Sequence, residues 1–87
     1  DVARLCRRAH QMDPPVRAVF HVAGVSVDVV LPEMKPESLF EVADCKARGA
    51  WFLHQHSLSL PLDHFVCVSS IASLIGGLGM SSYSSAN

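Results

Sequence analysis

The apolar positions of this chain switch between helical and strand spacing along its length. From residue 2 to about 11, Val2, Leu5, Cys6 and Ala9 alternate with arginines at a helical period. "MDPP" stops that helix, because proline lacks an amide donor and disfavours helix in the residue before it. "VRAVFHVAG" is a short apolar run rich in β-branched and aromatic residues, bounded by Pro15 and Gly24, and predicts a buried strand. "VSVDVVLPEM" reads as a connection that its apolar content keeps partly covered. Pro36 and Glu37 open a second helix, proline fitting the first turn and the acid suiting the positive end of the helix dipole. The helix runs on through "ESLFEVADCKARGAWFLHQHSLSL", its apolar pattern interrupted by Lys46 and His54, and Pro61 ends the segment. Gly49 inside it costs about 1 kcal/mol against alanine, which predicts a close packing partner or a ligand there. "HFVCVSS" predicts a second buried strand, and "IASLIGGLGM" a loop leading into a helix that begins near Ser81.

The order is helix, strand, helix, strand, helix, which argues for an α/β class with a parallel sheet and right-handed crossovers. Continuous apolar strands are those expected of a sheet covered by helices on both faces. The chain has 87 residues, 49% hydrophobic against 17% charged, richer in core-formers than a free-standing domain of that size needs. A fragment of a larger domain is therefore expected. A net charge of −1 offers no basic field for nucleic acid or an anionic membrane. Arg4, Arg7 and Arg8 read as the wet face of the first helix. The three cysteines are an odd number without a CxxC pair, which speaks against a disulfide framework and for a reducing, cytoplasmic setting. No apolar run approaches a membrane span and no signal-peptide pattern is present.

In open α/β sheets ligands bind beyond the carboxyl ends of the strands. Those ends are His21 to Gly24 and Ser69–Ser70. Gly24 lets a backbone approach a flat ligand closely, and Ser70 sets a hydroxyl at the same edge. Tyr83 and Asn87, four apart, share a helix face, and the glycine-rich loop folds that helix back over the strand end. Taken singly, each of these residues reads more readily as structure than as catalysis. Lys46 suits a solvated helix, Ser70 a strand-end cap, Tyr83 a packed aromatic and Asn87 a helix or turn position; Ser69 reads as backbone support. His54 and His56, two apart on a helix, point to different sides, so no metal site is expected. His21 reads as a satisfied core or cofactor-edge histidine, Trp51 as core or subunit-interface packing, and the cysteines as small buried hydrophobes.

The blocks "AVFHVAGV", "KARGAWFLH", "FVCVSS" and "GLGMSSYSSAN" resemble, in order and spacing, the ketoreductase domain of polyketide and fatty acid synthases. That family is a branch of the short-chain dehydrogenase/reductase superfamily, and the resemblance covers about residues 16 to 87. The wider superfamily places a lysine four residues after the tyrosine. Here that position is Asn87 and the lysine is Lys46, in a KxxGAW block, the swapped arrangement of the ketoreductase branch. The resemblance implies a fragment of a Rossmann-type doubly wound parallel sheet. Residues 1–87 would be the central to C-terminal half of one NAD(P)-binding domain, without the glycine-rich phosphate-binding turn and so inactive alone. It implies NADPH-dependent reduction of a β-ketoacyl thioester held by phosphopantetheine on an acyl carrier protein, beside other synthase domains.

It also implies roles for the site residues. Hydride transfer to a ketone leaves an alkoxide that must be protonated, and a phenol is a poor acid at neutral pH unless a cation favours its ionised form. Tyr83 would be the general acid, Lys46 that cation and a ribose ligand, and Ser70 a second hydrogen-bond partner of the carbonyl oxygen. Asn87 would orient the lysine or a relay water, with Ala23, Gly24 and Ser69 on the cofactor side. After "AGV", one class of the family carries a Leu-Asp-Asp triplet tied to one hydroxyl configuration; this chain has Ser26-Val27-Asp28. The opposite class has tryptophan eight residues before the tyrosine, where this chain has Ile75, and Met80 stands where glutamine is common. Asp28 is thus the candidate for stereocontrol. Two rival readings remain: a stand-alone dehydrogenase acting on a free small molecule, and a non-catalytic Rossmann half that buttresses an active one.

Overall fold

The computed structural model describes residues 2–87. In chain order it contains α1 (Val2–Ala9), β1 (Ala18–His21), α2 (Pro36–Ala43), α3 (Gly49–Ser57), β2 (His64–Cys67), α4 (Ala72–Ile75) and α5 (Ser81–Ala86), with a 3₁₀ turn at Leu31–Glu33. The two strands pair in parallel, Ala18 opposite His64 and His21 opposite Cys67. A parallel pair needs a long crossover, and α2 with α3 supplies it. The expected α/β order is the order observed. No helix among the described residues is long and apolar enough to cross a membrane.

One residue pair aligns the starts of both strands. The Arg17 carbonyl accepts the amides of Asp63 at 2.7 Å and His64 at 3.3 Å. Its guanidinium grips the Asp63 carboxylate with both prongs, at 2.6 and 2.7 Å. The hydrogen bond from Arg17 holds the Asp63 carboxyl below the usual carboxylate range, and the same bond raises Arg17. A depressed carboxyl pKa stabilises the fold at pH above the ordinary carboxylate range, and that contribution is lost as pH falls through the folded-state value. The pair is exposed, so its contribution is small and screened by salt. Asp63→Asn is therefore expected to lower the melting temperature of the complete domain slightly at neutral pH, by a margin that closes in acid and in high salt. A margin independent of both would show that the carboxylate charge has no part in it.

The segment from Pro36 to Leu60 is not the single helix its periodicity predicts. A π turn at Asp44–Arg48 separates α2 from α3, and the Gly49 amide reaches back five residues to the Asp44 carbonyl. A side chain from β1 meets this turn. His21 packs against the turn, and a Cβ on Gly49 would stand 3.3 Å from its Cε1. The close packing expected at Gly49 is thus occupied by His21. The loop after β2 also holds more structure than expected. The Ser70 hydroxyl accepts the Ala72 amide at 3.2 Å and starts the one-turn helix α4, and Gly76, at a φ of 69°, ends it where a side chain would be strained. Gly79 then accepts the Val29 amide at 2.9 Å, which leaves Val27 and Val29 half-covered while Val25 and Val30 stay exposed.

Burial departs from expectation at several places. Both strands were expected buried, yet β2 is exposed along its length and Phe20 of β1 is 64% exposed. Trp51 is 57% exposed and is not core within this chain. Of the cysteines only Cys6 is buried; Cys45 is intermediate and Cys67, on the open β2, is exposed. The reason is common to all: a sheet of two strands covers little of either face, and the buried apolar side chains among the described residues are Cys6, Val42, Leu60 and Ala72. The radius of gyration is 15.2 Å, against about 12 Å for a compact domain of this length.

Candidate active site at the strand ends

Lys46 occupies the middle of the π turn and is only 8% exposed. Its ammonium donates to the Val68 carbonyl, just past the end of β2, at 2.8 Å. Among the described residues it makes no ion pair. Its main-chain carbonyl accepts the ring N–H of His21, Nε2 standing 2.9 Å away and buried. The Val68 amide in turn donates to the His21 carbonyl at 3.0 Å. A closed ring of three hydrogen bonds thus joins the end of β1, the end of β2 and the π turn. Gly24 lies beside it: a Cβ there would be 3.7 Å from the Lys46 Nζ, ordinary contact.

Asn87 comes to the same place from α5. Its Nδ2 donates to the Tyr83 carbonyl at 2.7 Å, one turn back, and Ser69 Oγ donates to the Asn87 main-chain oxygen at 2.8 Å. The end of α5, rather than its start, is what folds over the strand end. A cavity of about 260 Å³ lies between His21, Lys46, Cys67, Val68, Ser69 and Asn87. A larger cavity, about 490 Å³, lies between α1, β1 and α3 and is apolar apart from Arg8. Size does not locate the chemistry here; converging polar groups do.

The expected site residues therefore fall into two groups. Lys46, Asn87 and Ser69 share one cavity, with Gly24 against the lysine. Ser70 and Tyr83 belong to the same edge by their backbones. Among the described residues no hydrogen bond joins the Tyr83 phenol to Ser70 or Lys46. The Ser70 hydroxyl serves the first turn of α4 as an acceptor, a bond that leaves its proton available to another partner. Asp28 is exposed and accepts the Ser26 hydroxyl at 2.6 Å, in the loop that Gly79 holds. Ala23 is exposed at the end of β1.

Two features fit a bound hydroxyl-bearing ligand. Asn87 Oδ1 is buried with no hydrogen-bond partner among the described residues, and an ammonium has three donors, of which Lys46 uses one on Val68. A pair of ribose hydroxyls, each able to donate and to accept, matches that set.

A profile of the KR domain family matches residues 1–87. This chain belongs to the KR domain family. The phenolphthiocerol synthesis polyketide synthase type I Pks15/1 of Mycobacterium marinum is 46% identical over 74 residues, covering 85% of the chain and 4% of that protein. An N-terminal ketoreductase from the macrolactin assembly line superposes on 99% of the chain with a TM-score of 0.93 at 29% identity, using 18% of its own length. The first ketoreductase of the tylosin polyketide synthase superposes on 99% with a TM-score of 0.85 at 38% identity, using 19%. The chain spans about 4% of the length of the curated relatives it matches and about a fifth of these ketoreductases. The KR segment has the Rossmann-type α/β fold of those domains and is part of the reductase family to which they belong.

The residue that reading the sequence undervalued is His21. The available signal was a polar ring two residues before "AG" at the end of an apolar run, but its partner is a main-chain carbonyl 25 residues away.

Proposed function

We propose that residues 1–87 form the central to C-terminal half of a single ketoreductase domain that reduces a β-ketoacyl thioester to the β-hydroxyacyl form within a polyketide or fatty acid synthase. NADPH is the proposed cofactor, an acyl carrier protein the proposed substrate carrier, and the cytoplasm the proposed setting. The observation that carries this reading is the buried Lys46, held at both strand ends and sharing a cavity with Asn87, whose Oδ1 is unpartnered, inside a KR-family fold. The open strands and the large radius of gyration support a segment that completes its sheet with neighbouring parts of the same domain.

When bound, the nicotinamide supplies the hydride. Lys46 would hold the ribose through its free ammonium protons. Tyr83 gives its proton to the developing alkoxide oxygen, and Ser70 donates a hydrogen bond to the same oxygen. Asn87 holds Lys46, or a water between them, through Oδ1. The experiment is a comparison of substrates in the complete domain. A carrier-bound β-ketoacyl thioester should be reduced with a higher kcat/KM than a free small ketone; equal values would favour a stand-alone dehydrogenase.

Asp28 lies in the loop that leaves β1, and its steering role can be tested on the product. Asp28→Ala is expected to erode the hydroxyl configuration more than it slows reduction, since enantiomeric preference is a difference of two barriers and about 1.4 kcal/mol is already tenfold. Chiral chromatography of the hydroxyacyl product reads it. An unchanged enantiomer ratio would exclude Asp28 from choosing the face.

A further inference from the structure

We infer that His21 is a positioning residue for Lys46, holding the π turn in the shape that aims the lysine at the site. The inference rests on the proposed role of Lys46. A carbonyl oxygen only accepts, so the 2.9 Å contact to Lys46 requires the proton on His21 Nε2. In a regular helix the Lys46 carbonyl would take an amide four residues on. Here the Gly49 amide is shared between the carbonyls of Asp44 and Lys46, and the imidazole fills the second lone pair on Lys46. Insertion of a side chain into the ladder is a recognised cause of such a break, and π turns concentrate at functional sites.

The ring of hydrogen bonds shows what the break achieves. Lysine has a long, flexible stem, yet Lys46 is tied at both ends. His21 holds its main-chain carbonyl and Val68 holds its ammonium, and Val68 is itself fixed to the His21 carbonyl. Gly49 completes the device, because a Cβ there would press on the imidazole at 3.3 Å and push it by a few tenths of an ångström. A displacement of about 1 Å at a catalytic group can cost about 10²-fold in rate, so a tether at the backbone matters.

The test uses the complete domain without cofactor. The chain contains two lysines, and Lys35 is exposed, so it serves as an internal reference for acetylation by limiting acetic anhydride followed by mass spectrometry. His21→Leu keeps apolar bulk without a donor, and His21→Gln keeps an N–H at similar reach. We expect the labelling of Lys46 relative to Lys35 to rise about tenfold in His21→Leu and to stay within about twofold of wild type in His21→Gln. The KM for NADPH should follow the same order, with kcat changing less. An unchanged ratio in His21→Leu, or an equal rise in both variants, would overturn the inference. Should His21→Leu fail to fold, Gly49→Ala takes its place: a raised ratio supports the tether and an unchanged one refutes it. Raised labelling with unchanged NADPH affinity would uphold the tether while removing Lys46 from the cofactor site.

Discussion

Tyr83→Phe is expected to abolish ketone reduction in the complete domain while leaving NADPH affinity nearly intact. Tyr83 sits half-buried on α5, where its carbonyl takes the Asn87 side chain. Removing one oxygen leaves that backbone link and the packing of the ring in place, so the change is confined to proton donation. A positioned general acid contributes roughly 10²–10⁴-fold, and the resemblance to ketoreductases assigns that part to Tyr83. Turnover with a β-ketoacyl thioester and fluorescence titration with NADPH, side by side, read the two parts. A variant that keeps more than about half of wild-type turnover would show that Tyr83 is not the donor.

Lys46→Met should fail differently, in binding as well as in rate. Methionine has a similar stem and no charge, so it removes the ammonium from Val68 and from the proposed ribose site. A hydrogen bond to a charged group is worth about 1.5–3 kcal/mol, which corresponds to roughly 10- to 100-fold in cofactor dissociation constant. Turnover should fall as well, since a misplaced cofactor slows the chemical step. Equal dissociation constants for wild type and Lys46→Met would remove the lysine from the cofactor site. The contrast with Tyr83→Phe, which spares binding, separates a proton donor from a residue with two tasks.

Continuous apolar runs located both strands, and helical spacing located α1 and the segment that holds α2 and α3, because apolar spacing reports which faces avoid water. It could not report whether the covering partners lie within these residues, which is why β2 and Cys67, expected buried, are open, and why Trp51, read as core or interface packing, is exposed within this chain. The π turn was invisible for a related reason. One extra residue per turn leaves apolar spacing intact on either side, and the ring that bonds to the turn, His21, arrives from a distant strand. Gly49 was the one local sign, a helix-weakening residue whose reason had to lie elsewhere. At the site, Lys46, Asn87 and Ser69 were identified by block resemblance and share a cavity. The direction of the Ser70 hydroxyl, towards the Ala72 amide, depends on α4, which was not foreseen because "IASLI" is too short to show a period.

The most direct measurement incubates the complete domain with NADPH and a β-ketoacyl thioester, and quantifies the β-hydroxyacyl product against cofactor consumed. One hydroxyacyl thioester formed for each NADPH oxidised is the predicted result, with product lost in Tyr83→Phe. A folded domain that binds NADPH yet forms no hydroxyacyl product, or a Tyr83→Phe variant that forms it at the wild-type rate, would contradict the assignment.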